Sequence, residues 1–208
     1  MLRRGILISL VPTLGLALVA GCSTSDHPGS ESALPRLYET PQFQFTSETD
    51  QQVTRASLLG KVWVVDFIFT RCAGPCPLMT QRMKNLQDTL KTRGLLGPDS
   101  NVRLVSITVD PEYDTPKVLQ AYGKLWGADP SDWVFLTGPP DTLLNTIQTG
   151  FKVTAVRDSP SEDMPQIRHS TDFLLVDKKG WVRRIAHLED SNLEDSMAKD
   201  IATLLHGD

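Results

Sequence analysis

Eight consecutive residues, Val62-Trp63-Val64-Val65-Asp66-Phe67-Ile68-Phe69, are almost wholly apolar, β-branched or aromatic. Such a run reads as a strand buried on both faces, which sets it in the middle of a sheet. Just beyond it stands Cys72-Ala73-Gly74-Pro75-Cys76-Pro77, after which Met79, Met83, Leu86 and Leu90 fall at steps of four, three and four. That spacing predicts one apolar stripe on a helix from Pro77 to about Arg93. Pro77 suits the first helical position and Gly94 the stop. Two thiols therefore stand where a buried strand hands over to a helix.

The rest of the chain repeats the alternation. Val102–Val109 predicts a second strand, and Thr115–Trp126 a helix with Pro116 near its start. Trp133–Leu136 predicts a short strand and Pro140–Thr149 a short helix. Phe173–Val176 and Trp181–Ile185, around Asp177-Lys178-Lys179-Gly180, predict a hairpin that adds antiparallel edge strands, and Leu193–Leu205 a closing helix. A small leading hairpin is expected from Phe43–Phe45 and Gln52-Val53. The segment from Phe151 to Arg168 shows no regular period, and a long irregular loop in a compact domain is often functional. Alternating strands and helices give a sheet with helices on its faces. The expected fold class is α/β: a thioredoxin-like fold with an N-terminal β-hairpin and a central mixed sheet flanked by helices, the dithiol lying at the first strand-to-helix junction.

The N-terminus carries a separate message. Arg3 and Arg4 precede an apolar stretch from Ile6 to Val19, and Val19-Ala20-Gly21-Cys22 follows. A basic region, a short apolar region and small residues before a cysteine form a lipoprotein export signal. The apolar run is short for a bilayer-spanning helix, which needs about 20 residues. Residues 1–21 are thus expected to be removed and Cys22 to be lipidated. Residues 22–40, rich in Ser, Pro, Gly and Glu, are expected to be a tether, with residues 41–208 as one domain. The chain holds 21 basic and 25 acidic side chains. That balance carries no basic stripe of the kind nucleic-acid binding requires.

With Cys22 lipidated, Cys72 and Cys76 remain. Pro77 and Pro75 keep both from lying inside one helix, because a proline ring clashes with the carbonyl four residues back and restricts the residue before it. Cys72 is expected in the loop and Cys76 near the N-cap, where free N–H groups and the helix dipole favour thiolates. Thiolates serve a structural disulfide, disulfide exchange or metal binding. A disulfide closing so small a loop restricts the unfolded chain little. Haem attachment is disfavoured, since Pro77 stands where the axial histidine would follow. Structural zinc takes four ligands. Two thiolates with one imidazole suit a three-coordinate soft ion, Cu(I) foremost. His169, which ends the irregular loop and precedes the penultimate strand, is the candidate third ligand. Asp66, buried six residues before Cys72, is a candidate proton acceptor for the dithiol. Asp110, in a strand-end loop facing the site, is a candidate auxiliary ligand or a turn residue, and Asp114 a candidate cap for the next helix. Met79 and Met83 read as core.

Val65-Asp66-Phe67-Ile68-Phe69-Thr70-Arg71-Cys72 with Cys76-Pro77 resembles the Sco/SenC family of copper-assembly proteins. So do Leu104-Val105-Ser106-Ile107-Thr108-Val109-Asp110-Pro111-Glu112-Tyr113-Asp114-Thr115-Pro116, and His169-Ser170 leading to Phe173-Leu174-Leu175-Val176-Asp177. The resemblance runs from about Phe43 to the C-terminus. It implies that Cys72, Cys76 and His169 bind one copper ion, as Cu(I) or Cu(II). It also implies a role in building the CuA centre of cytochrome c oxidase, by delivering copper or by reducing that site's cysteines. The implied partners are the CuA-bearing subunit or another cuproprotein, a copper donor or thiol reductant, and the membrane through the lipid anchor. A thiol–disulfide reductase acting through Cys72 and Cys76 is the alternative from a different class.

Overall fold

The computed structural model describes residues 34–97, 99–157 and 167–207, all within one compact unit, Ser32–Asp208. The expected leader, Cys22 and most of the expected tether lie outside the described residues. Strand β1 (Tyr38–Glu39) and the leading hairpin β2 (Gln44–Ser47) and β3 (Gln52–Thr54) come first, then the short helix α1 (Arg55–Leu58). The αβ alternation follows: β4 (Val62–Ile68), α2 (Cys76–Thr92), β5 (Val102–Thr108), α3 (Pro116–Leu125), β6 (Trp133–Thr137) and α4 (Pro140–Asn145). One π-helical turn, Thr146–Gly150, extends α4. The chain closes with β7 (Ala155–Arg157), β8 (Ile167–His169), β9 (Asp172–Val176), β10 (Trp181–His187) and α5 (Leu193–His206).

Eight strands form one mixed sheet in the order β1-β10-β9-β4-β5-β6-β2-β3. All seven residues of β4 are buried, as its unbroken apolar run requires, because it pairs in parallel with β5 and antiparallel with β9. The final hairpin is not at an edge. Tyr38 and Glu39 pair with Val182 and Trp181, covering the free side of β10, and β9 pairs inward with β4. The ordered sheet therefore begins before the expected boundary at residue 41, because a two-residue strand satisfies backbone groups that β10 would otherwise leave open.

Met79, Met83, Leu86 and Leu90 of α2 are all fully buried, and α2 packs against α5. Removing side chains of this size from water stabilises the fold by about 2 kcal/mol each. The two methionines are core. Helix α2 stops at Gly94, whose φ of +68° suits a residue without a Cβ. Thr115, not Asp114, caps α3: its side chain accepts from the Val118 N–H. The stretch read as irregular contains a separate two-stranded ribbon, β7 with β8. Among the described residues, no helix is long and apolar enough to cross a membrane.

Candidate metal centre

The loop leaving β4 is held from below. The Asp114 carboxylate accepts from the Thr70 N–H, the Thr70 hydroxyl and the Thr108 hydroxyl. This splint fixes the three residues between β4 and Cys72. Cys76 is the first residue of α2, and its N-cap Pro75 has no side-chain oxygen, so no N-cap side chain takes up the first helical N–H groups. The Gly74 N–H donates to Cys72 Sγ at 3.3 Å. Cys72 is half-buried and Cys76 buried, both as free thiols.

His169 reaches the dithiol from the ribbon. It pairs with Ala155, and its Nε2 lies 3.1 Å from Cys76 Sγ. Its Nδ1 is 2.9 Å from the Ser170 carbonyl, which can only accept, so Nδ1 carries the proton and the Nε2 lone pair faces the sulfurs. A backbone carbonyl that fixes the tautomer in this way is the usual companion of a metal-ligating histidine. The Phe69 ring meets the imidazole edge-on, centroids 5.7 Å apart. Donor atoms of Cys72, Cys76 and His169 all lie within 4.8 Å of one another. No other cysteine, histidine or carboxylate among the described residues joins them. Two sulfurs and one imidazole nitrogen fit a soft ion with three ligands better than a four-ligand zinc.

The two thiols are unequal. A hydrogen bond from the Cys76 thiol is the main influence pulling Cys72 well below the usual thiol range. The N–H groups of Cys76 and Gly74 add to it, against the opposing effect of burial. Cys76 moves the other way, because it donates to Cys72 and is buried. The first thiolate therefore forms on Cys72. Beneath them Asp66, fully buried, is pushed up to about 7 by desolvation. The Ser106 hydroxyl partly offsets this, donating to one Asp66 oxygen at 2.6 Å. Ser106 in turn accepts from Trp133 Nε1 at 3.0 Å. The other Asp66 oxygen has no hydrogen-bond partner.

Asp110 stands outside the donor set. It is fully buried, and its two oxygens accept from Arg71 and Arg157, each at 2.7 Å. Arg157 and the Thr70–Thr108–Asp114 splint escaped the sequence reading. Arg157 sits in the stretch without a period, and one sequence carries no sign that it meets a carboxylate 47 residues away. His187 is an exposed partner of Asp172, and His206 ends α5 at the surface.

A model of the SCO1/SenC family matches residues 32–206. The fold is shared with a SCO1/SenC family lipoprotein from Bacillus anthracis, 31% identical, with a TM-score of 0.72 over 81% of this chain and 95% of that one. It is also shared with BsSco, a member of the Sco family of cytochrome c oxidase assembly proteins in which a disulfide switch was identified. That likeness has 32% identity and a TM-score of 0.70 over 84% of this chain and 97% of that one. At 24% identity the copper-bound structure of Bradyrhizobium japonicum ScoI shares the fold, with a TM-score of 0.66 over 80% of this chain and 99% of that one. With a family match spanning nearly all the described residues and a dithiol–imidazole set at its centre, the chain belongs to the SCO1/SenC family.

Proposed function

We propose that this chain is a membrane-tethered copper metallochaperone outside the cytoplasm, serving the CuA centre of cytochrome c oxidase. The observation that carries this reading is the convergence of Cys72, Cys76 and a tautomer-fixed His169 within 4.8 Å. Copper is the cargo: both thiols, reduced, and the imidazole Nε2 hold one ion. Exchange with a partner disulfide, which takes up two electrons and two protons and leaves as two thiols, joins Cys72 to Cys76 and removes both sulfur ligands, so thiol redox state sets whether copper is kept. The partners are a copper donor or thiol reductant on one side and a CuA-bearing subunit, or another cuproprotein, on the other. Cleavage after residue 21 and lipidation of Cys22 would leave the domain on a tether of about 20 residues. The export signal in the sequence supports this, and so does the lipoprotein relative from Bacillus anthracis.

The unequal thiols favour one second reading, reduction of the client's own disulfide. The Cys72 thiolate attacks a client sulfur and a client thiolate leaves. Cys76 then attacks Cys72 Sγ, passing its proton to Asp66, and the second client thiolate departs. Anaerobic Cu(I) titration of the reduced protein, beside His169→Ala, separates the two. One ion per chain, bound far more weakly without His169, supports the chaperone. Weak binding that ignores His169 removes it and leaves the reductase.

A further inference from the structure

Asp110 is a buried carboxylate with a cation on each oxygen, and the two cations come from different parts of the site. Arg71 precedes Cys72 directly, and its guanidinium lies 3.9 Å over the Tyr113 ring, which fixes its direction. Arg157 belongs to β7. Ala155 pairs with His169 and Arg157 with Ile167, so Arg157 and His169 project from the same face of the ribbon. That ribbon is not part of the main sheet. Among the described residues no backbone hydrogen bond joins it to the thiol loop, and side chains make the contact.

We infer that Arg157, acting through Asp110, is a positioning residue of the metal centre: the Arg71–Asp110–Arg157 clamp sets the ribbon bearing His169 against the loop bearing Cys72. The clamp touches no donor atom. A surface ion pair contributes little, but Asp110 is fully buried and paired with both arginines, and breaking a buried pair is costly. Among the described residues, loss of Arg157 leaves that charge held from the thiol side only, and the ribbon loses one anchor two residues from the pair that carries His169. The inference rests on the copper reading for its consequence, not for its geometry.

Two measurements on the full-length protein test it. The first needs no metal: in the reduced protein, the nuclear Overhauser effect between the Phe69 and His169 rings reports whether the imidazole is seated. It is expected in the parent, lost in Arg157→Gln, and partly restored in Arg157→Lys, with circular dichroism showing that each variant is folded. The second is Cu(I) affinity by anaerobic chelator competition for the parent, Arg157→Gln, His169→Ala and the double variant. Residues that orient a metal ligand typically change affinity 10–100-fold. Arg157→Gln should therefore weaken binding about tenfold in the parent and leave the His169→Ala protein unchanged within twofold. A ring-to-ring effect that persists in folded Arg157→Gln overturns the inference, and so do additive affinity losses. If His169→Ala leaves copper binding intact, the copper reading fails, while loss of the ring effect still establishes the clamp.

Discussion

Asp66 is a fully buried carboxylate with an unpartnered oxygen close to the dithiol, and it makes a quantitative prediction about stability. Its carboxyl is raised from the ordinary 3.8 to about 7, chiefly by desolvation. The unfolded chain releases this proton near pH 4 and the folded protein near pH 7. Between those values the folded state binds the extra proton, so stability falls as pH rises through the window and is level above it. A difference of about 3 units at 1.36 kcal/mol each amounts to about 4 kcal/mol lost by pH 8. Asp66→Asn keeps the shape and has no proton to lose. The thiols must be silenced, because a depressed Cys72 contributes stability that grows with pH, in the opposite sense. Urea unfolding from pH 4.5 to 8.5 in a Cys72→Ser/Cys76→Ser background isolates Asp66. Burial survives that substitution, and other groups titrate alike in both proteins. The Asn variant should gain on its parent by about 3 kcal/mol between pH 4.5 and 8.5, since part of the loss is complete by pH 4.5, at equal m-values. Parallel curves across that range would refute the desolvation argument.

Other expectations follow from single contacts. Iodoacetamide at pH 6 should alkylate Cys72 and spare Cys76, read by peptide mass spectrometry, and equal labelling would contradict the assignment of the thiolate to Cys72. Asp177→Ala leaves the buried Arg183 guanidinium without its 2.7 Å carboxylate, which should lower unfolding free energy by about 3 kcal/mol in urea titration. Thr115→Ala removes the cap of α3 and should cost about 1 kcal/mol, with Thr115→Ser close to the parent.

What could be read in advance followed from local chemistry. The strand Val62–Ile68 announces its burial by an unbroken apolar run, and α2 by its stripe of Met79, Met83, Leu86 and Leu90. Cys72, Cys76 and His169 could be named because few residue types bind soft ions, and the chain has few of them. The β7–β8 ribbon was hidden because three-residue strands are too short to show alternation. Asp110 shows the limit most clearly. Its place after β5 put it near the site, but its work was decided by Arg71 and Arg157, partners 39 and 47 residues away. The edge of the sheet was likewise set by Tyr38 and Glu39, which lie in a segment whose composition reads as linker.

The spacing of the three donors has one further consequence. Cys72 and Cys76 lie four residues apart, whereas His169 follows Cys76 by 93. An unfolded chain therefore keeps a two-sulfur chelate but holds the imidazole at a distance. An ion bound by both states stabilises the fold only by the ratio of its affinities for them, so the sulfurs' share cancels. If His169 contributes 100-fold, saturating metal adds about 2.7 kcal/mol, however tightly the thiols bind. The rise in melting temperature on loading would then measure the histidine alone, and a newly made chain could capture its ion before the sheet is complete.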